Sequence, residues 1–287
     1  EEQAKRILAD LKTASYTVDS VTTKERKKTA LPPFITSKLQ QASRFSVKRT
    51  MMIAQQLYEG IELPGEGAVG LITYMRTDSA RVSEQALGEV RAYIGQRFGP
   101  EFVPAKPNRF RTKKDAQDAH EAIRPTLMAH SPDDVKPHLT EDQFYLYRLI
   151  WSRFVASQMP PATFDDTTLN VAAAGYVLCA KGSVPKFSGW MAVYEQPRED
   201  ATSTPPPGQP NRTAAESSEL ETGLLPALAT GDALELKEIM PEQKFTQPPA
   251  RFSEATLVKE LEENGIGRPS TYASIIGVLQ VREYTEK

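Results

Sequence analysis

Residues 150–171 read IWSRFVASQMPPATFDDTTLNV, and the two halves of this stretch obey different periodicities. Before the prolines, Phe144, Tyr147, Ile150, Trp151, Phe154 and Val155 recur at the three- and four-residue spacing of an amphipathic helix. After them, Thr167 to Val171 alternates as a strand does. Pro160 stops the helix, because its ring clashes with the preceding turn and its nitrogen has no proton to give. The same helix opens at Thr140 to Gln143, which fits a capping box.

Upstream of this switch the signals are mainly helical from Phe34 to Met159. Thr36 and Ser46 suit N-caps, Val47, Met51, Ala54 and Leu57 make one face, and Gly60 stands where a helix would end. A further helix opens at Ser83, buries Leu87, Val90, Ile94 and Phe98, and closes at Gly99. Asp115 to Ile123 suits a short helix ended by Pro125. Before Phe34, Ala4, Ile7, Leu8 and Leu11 predict a helix, Tyr16 to Val21 a strand, and Lys24 to Pro33 a basic, proline-containing hinge. Downstream, Tyr176–Ala180, Trp190–Tyr194 and Ala233–Ile239 read as further strands, with turns at Gly175 and Gly182. Helices are thus inserted between strand-rich flanks. The reading is an α+β chain in which a discontinuous β domain, residues 1–33 and 159–243, is interrupted by a helical domain, residues 34–158. The segment Glu199 to Glu219, rich in Pro, Ser, Thr and Ala, is expected to be a mobile loop. From Ser253 a helix carrying Leu257 and Leu261 closes at Gly265, and Ser270 is placed to cap a second one through Ile275, Ile276 and Leu279. With a strand expected to begin at Tyr284, residues 244–287 suggest part of a winged-helix-like domain.

Length and charge set the bounds on function. A chain of 287 residues buries a substantial core, and 35 Lys+Arg against 37 Asp+Glu give none of the overall basic character common in nucleic-acid binders. Any such contact has to come from local patches. One lies between Lys24 and Arg49, where Lys24, Arg26, Lys27, Lys28, Lys38, Arg44, Lys48 and Arg49 stand against the single acid Glu25. The lone Cys179 excludes an internal disulfide and a cysteine-rich zinc site, and is expected to be a small buried hydrophobe. No run of about 18 apolar residues appears, so the expectation is a cytoplasmic protein without membrane contact.

Two constellations carry chemistry. In Gly70-Leu-Ile-Thr-Tyr-Met-Arg-Thr-Asp-Ser79, residues Val69 to Thr73 read as a short buried strand and Tyr74 to Ser79 as its exit loop. A phenol titrating near pH 10 is a poor nucleophile at neutral pH and needs cations beside it. Arg76, two residues on, lies on the same side if the chain stays extended. In Asp115-Ala-Gln-Asp-Ala-His-Glu-Ala-Ile-Arg-Pro-Thr126, His120 and Arg124 stand four apart at a helix end. They can share a face and aim two donors at one phosphate, or simply complement the helix dipole.

These blocks resemble those of a known family. Pro-Phe-Ile-Thr-Ser-Lys-Leu-Gln-Gln at 33–41, Tyr-Met-Arg-Thr-Asp-Ser at 74–79, Ala-His-Glu-Ala-Ile-Arg-Pro-Thr at 119–126 and Gly-Ile-Gly-Arg-Pro-Ser-Thr-Tyr-Ala at 265–273 look like the signature blocks of bacterial type IA DNA topoisomerases, in the family's order. Met75 is closer to the topoisomerase I branch than to the topoisomerase III branch. The resemblance implies that Tyr74 attacks a backbone phosphate of single-stranded DNA and is joined to its 5′ end, as part of an ATP-independent relaxation of negatively supercoiled duplex. It implies that Arg76 supports the scissile phosphate, that His120 contacts DNA beside it, and that Arg124 lies close by with Glu121. It places Arg268, Ser270 and Thr271 on phosphates of a single-strand groove, with Tyr272 stacking or packing there. It also implies a gate-forming β-arch, a monomer acting at the bacterial nucleoid, and a magnesium ion held by an N-terminal toprim domain. That domain is absent from this stretch, as are the family's C-terminal DNA-binding repeats, so the chain alone is expected not to relax DNA. Between Gln41 and Val47 it is about three residues shorter than the family pattern. A non-catalytic single-strand-binding module would use Tyr74 to stack on a base instead. A tyrosine recombinase would need its tyrosine after an Arg-His-Arg set, whereas Tyr74 precedes His120 and Arg124.

Overall fold

The computed structural model describes residues 2–110, 120–194, 225–246 and 248–286. In chain order these form α1 (Glu2–Lys12), β1 (Tyr16–Lys28), α2 (Thr36–Ala42), α3 (Val47–Glu59), β2 (Ile61–Leu63), β3 (Gly67–Val69) and α4 (Glu84–Phe98). There follow α5 (Pro132–Val135), α6 (Glu141–Ser157), β4 (Ala162–Ala173), β5 (Tyr176–Phe187), β6 (Ala233–Leu234), α7 (Glu254–Glu263) and α8 (Tyr272–Val281). The architecture is α+β with an antiparallel sheet, and the chain divides into two compact units.

The first unit comprises the described parts of 1–28, 162–188 and 204–250. Its sheet has the order β5-β4-β1-β6, with every pairing antiparallel. Strands β4 and β5 are joined by Ala174 and Gly175, both at positive φ, the two-residue turn whose twist matches a hairpin. One end of the sheet is cored: Leu11 of α1 packs with Tyr16, Val18, Leu169, Val171 and Ala173. Towards Lys28 apolar alternation stops and the ribbon is held by paired polar groups. Arg26 lies on Asp166 at 2.5 Å and over the Phe164 ring, Ser183 donates to Asp166 at 2.6 Å, and Lys186 reaches Glu25 at 3.1 Å. The expected hinge at Lys24 therefore gives way to strand: β1 runs on through Lys28, opposite Ala162, because these cations are neutralised along the ladder.

The second unit comprises the described parts of 29–161, 189–203 and 251–287. Helix α3 packs on α6, and Tyr93 of α4 meets Trp151 of α6 edge to face at 5.5 Å. Leu57, Val90, Ile94, Leu146, Tyr147, Ile150 and Val155 are fully buried. Helices α7 and α8 join this unit, α7 against α2 and α8 against α3, around Val47, Val258, Tyr272 and Ile276. The Glu254 carboxylate accepts from the Val47 amide at 2.8 Å, satisfying a free donor at the start of α3. Caps follow the sequence closely: Ser46, Ser83 and Thr140 all accept from a backbone amide of the first turn. Helices α2 and α3 are joined by residues 43–46, closed by Phe45 N–H to Ser43 Oγ and by Thr50 Oγ1 to Ser43 Oγ.

Several expectations change. Trp190–Tyr194 is not a strand. Residues Gly189–Ala192 form a 3₁₀ turn, with the Val193 and Tyr194 amides donating to the Trp190 carbonyl, and this buries Trp190 and Tyr194 together. Gly189, at φ +50°, is required there, since a Cβ would meet the carbonyl oxygens of Pro160 and Pro161 at 2.5 Å. Gly182 is no turn but lies inside β5 opposite Thr167. Cys179 is exposed on β5, where it pairs with Asn170, rather than buried. Thr36 does not cap α2, whose N-cap is Ile35, and Ser270 does not cap α8, whose N-cap is Thr271. Tyr284 opens no strand among the described residues. The segment 199–219, and residues 115–119 of the expected helix before Pro125, lie outside the described residues. His120 to Ile123 are not helical: the Ala122 and Ile123 amides donate to Arg81 and Phe34 carbonyls, giving extended pairing. No helix among the described residues is long and apolar enough to cross a membrane.

Candidate functional site

Three sequence-distant segments, 34–37, 70–81 and 120–126, are woven together around Tyr74. Gly70 starts the weave, for a Cβ there would stand 2.6 Å from the Tyr58 carbonyl oxygen. Its closeness lets the Leu71 amide donate to Leu57 at the end of α3. This is also why the expected strand ends early: β3 stops at Val69, and residues 71–73 bond instead to 124–126. The Thr73 amide donates to the Arg124 carbonyl, Thr73 Oγ1 donates to Ala122 O at 2.7 Å, and the Arg124 amide donates back to Thr73 Oγ1 at 3.0 Å. On the other side of Tyr74, Thr36 Oγ1 lies 2.8 Å from Met75 O and 2.9 Å from Thr77 O, and accepts from the Thr77 amide at 2.8 Å. One hydroxyl proton is shared between two carbonyls while a lone pair takes the amide. The backbone at 73–77 is therefore fixed on both sides.

What this fixed backbone presents follows from its alternation. Met75, Thr77 and Ser79 are buried, while Tyr74 and Asp78 are half-buried and Arg76 is exposed, so the last three are the ones that reach the surface. The Tyr74 ring stands between two others: Tyr58 at 5.5 Å and 67°, and His120 at 5.2 Å and 47°. It differs from Tyr147 in the same unit, whose buried hydroxyl donates to His130 O at 2.6 Å and whose phenol burial pushes above its usual range. Tyr147 has no access to an outside substrate.

Of the residues singled out from sequence, the structure brings Tyr74 and His120 into ring contact and leaves Arg76 exposed two residues on. Arg124 is turned inward. Its Nε donates to Glu121 at 2.8 Å, Nη1 to Pro125 O at 2.8 Å and Nη2 to Ser83 Oγ at 3.4 Å, with 11% of the side chain exposed. Arg268 and Ser270 are exposed just before α8, and Thr271 Oγ1 accepts from the Arg268 amide at 2.8 Å. Tyr272 is buried, which pushes its phenol up, and the Glu262 and Asp78 carboxylates add to this while Arg268 opposes it. Sequence reasoning missed Tyr58, Thr36 and Thr73 as site-builders. Thr36 was marked only as an N-cap and as part of the 33–41 block, and nothing marked Thr73 or Tyr58 for this role. Among the described residues no group of three or more His, Cys, Asp or Glu is placed to hold a metal ion.

Around Tyr74, then, a fixed loop displays a tyrosine ring in contact with Tyr58 and His120. The profile of the DNA topoisomerase family matches residues 1–287. The chain is 49% identical to DNA topoisomerase 1 of Xylella fastidiosa over 275 residues, covering 94% of this chain and 32% of that protein. It is 44% identical to the Rickettsia felis enzyme of the same name over 291 positions, covering 99% and 35%. Full-length topoisomerase I from Thermotoga maritima superposes with a TM-score of 0.76 at 36% identity, covering all of this chain and 43% of that one. The chain belongs to the bacterial type IA DNA topoisomerases, and it spans about a third of the length of the curated relatives it matches.

Proposed function

We propose that Tyr74 is the strand-cutting nucleophile of a type IA DNA topoisomerase I that relaxes negatively supercoiled DNA. Tyr74 Oη attacks the phosphorus of a single-stranded backbone. The bond from phosphorus to the 3′ oxygen breaks, the 3′ oxygen leaves with a proton, and the 5′ phosphate remains on the tyrosine. Religation is the reverse, so no external energy source is consumed. The observation that carries this reading is the half-buried Tyr74 ring, held between Tyr58 and His120 on a backbone fixed by Thr36 and Thr73. Arg76, exposed two residues on, supports the charge that builds on the attacked phosphate. His120 contacts DNA beside it. Arg268, Ser270 and Thr271 hold the strand by its phosphates, which fixes position rather than sequence. Arg124 acts through Glu121 and the loop it braces.

In this reading the sheet-bearing unit is the gate-forming arch, α7 and α8 begin the single-strand groove, and magnesium is held by an acidic site outside this chain. The protein works as a cytoplasmic monomer at the nucleoid. The ring pair of exposed Tyr58 and half-buried Tyr74 also fits a module that merely stacks bases. One substitution separates the two. Tyr74→Phe, carried in the longer protein, removes only a hydroxyl, so single-strand binding stays near the parent level while covalent DNA capture disappears. Retained capture or retained relaxation would overturn the assignment.

A further inference from the structure

The basic run between Lys24 and Arg49 is not one patch. Arg26 pairs with Asp166, Lys27 with Glu25 and Lys38 with Glu262, so its first part is largely neutralised by carboxylates. Arg44 differs. It is exposed, makes no hydrogen bond and no ion pair among the described residues, and lies over two rings, 4.2 Å from Tyr145 and 5.1 Å from Phe45. Those rings meet edge to face at 5.3 Å and 80°. Arg49 lies 5.4 Å over the same Phe45 ring while paired with Asp142. One residue along α6, Phe144 carries Arg148 at 5.9 Å and Lys136 at 5.1 Å. Arg148 is one turn from both Phe144 and Tyr145, so the two stacks adjoin on one helix. An ordinary surface shows such a pair about once in 70–80 residues. Here five cation–ring pairs gather on three neighbouring rings.

Resting on the topoisomerase reading above, we propose that this surface, Arg44 with Phe45 and Tyr145 and the adjoining Phe144 stack, is a second docking site for single-stranded DNA, distinct from Tyr74. A guanidinium over a ring keeps its N–H donors free for other acceptors, and those of Arg44 make no hydrogen bond among the described residues, ready for phosphate oxygens. The half-buried rings offer faces and edges on which unpaired bases stack whatever their sequence. Charge complementarity favours a polyanion at Arg44 itself, an exposed cation with no carboxylate partner among the described residues, beside Arg49 whose charge Asp142 balances. An acidic peptide would satisfy the cations but leave the rings without planar partners. Helix α3 runs from this stack to Tyr58, which touches Tyr74. Thirteen residues at about 1.5 Å each make that path roughly 20 Å, so one strand can engage both places.

The test uses the 287-residue chain and a fluorescein-labelled thymidine oligonucleotide read by anisotropy, beside an abasic oligonucleotide of equal length. Arg44→Gln, an exposed change with no bearing on the core, is expected to weaken binding several-fold and to lower the salt slope. Phe45→Leu with Tyr145→Leu keeps apolar volume but removes the stacking faces. It is expected to cost on the order of five- to thirtyfold for the thymidine strand and little for the abasic one. Equal binding of both strands by the parent, or competition by polyglutamate as effective as by DNA, would make the surface a general anion site and overturn the proposal. So would unchanged affinity in Arg44→Gln. Covalent capture by Tyr74 in the longer protein is scored in parallel: capture that persists with a silent stack sinks this inference alone, whereas absent capture sinks the reading beneath it.

Discussion

At the scale of single residues, the two arginines near Tyr74 divide into one that faces outward and one that braces. Arg76 is exposed on the fixed 73–77 backbone, and makes no hydrogen bond or ion pair among the described residues. Arg76→Ala is expected to leave thermal unfolding unchanged and to slow DNA cleavage by the equivalent of about 3 kcal/mol, more than it weakens binding, because the charge it meets develops only in the transition state. Equal losses in rate and affinity would make it a plain phosphate anchor. Arg124→Ala is expected to behave the other way. It strands Glu121 in a half-buried setting and costs about 2 kcal/mol of stability, visible in a melting curve without DNA. An unchanged melting temperature would return Arg124 to the role of free phosphate donor. That the chain leaves its strand before Tyr74 and exposes Arg76 was legible in the sequence, because a loop exit is a local feature. The meeting of Tyr74 with His120 was not legible from spacing: a helical reading of 115–123 has no knowledge that Ala122 and Ile123 will pair with Arg81 and Phe34. Contacts made by a weave of distant segments leave no period behind.

At the scale of elements, what the sequence made plain was whatever rests on neighbouring residues. The caps at Ser46, Ser83 and Thr140 and the stop at Pro160 each depend on a few adjacent side chains, and each is found where the pattern put it. Strand ends were misjudged because they depend on partners. The ribbon of β1 outlasts its apolar alternation where Arg26 reaches diagonally to Asp166 and Glu25 meets Lys186, and Trp190 with Tyr194 mimics a strand because a 3₁₀ turn can also bury residues four apart. Two substitutions address element junctions. Gly70→Ala drives a methyl toward the Tyr58 carbonyl at the α3 end, and is expected to destabilise the helical unit by about 1–3 kcal/mol. Wild-type stability and activity in that variant would mean the junction yields without cost. The Arg26 hydrogen bond, with Ser183, holds the Asp166 carboxyl below its usual range. A carboxylate depressed in the folded state stabilises above its unfolded pKa near 4, and that contribution fades as pH falls through the lower folded value. Both side chains are substantially exposed, so the effect is small. Asp166→Asn is accordingly expected to melt slightly below the parent at pH 7 and to coincide with it near pH 2; a gap that persists in acid would remove the ion pair as its cause.

At the scale of the whole molecule, the near-zero net charge and the local cation clusters together set how the chain meets DNA. With 35 basic against 37 acidic residues there is no long-range field to gather a polyanion, so binding rests on a few phosphate contacts. Arg76, Arg268 and Arg44 are exposed cations with no carboxylate partner among the described residues. Three phosphate contacts on a single strand release counterions with a slope of roughly −0.7 each in log affinity against log salt, about −2 in all. Raising salt from about 50 to about 200 mM is therefore expected to weaken binding by roughly fifteen- to twentyfold. Arg268→Gln removes one contact and is expected to flatten the slope by about 0.7 without altering any base preference, since phosphates carry no sequence. The same chain, incubated with supercoiled plasmid and magnesium, is expected to yield neither nicked nor relaxed product, because it spans about a third of its relatives' length and groups no metal ligands among its described residues. The two measurements bear on different things. A steep slope near −6 would mean that the chain contacts DNA through a far broader basic surface than these residues supply, whereas plasmid relaxation by the chain alone would show that the chemistry needs nothing beyond Tyr74 and its neighbours.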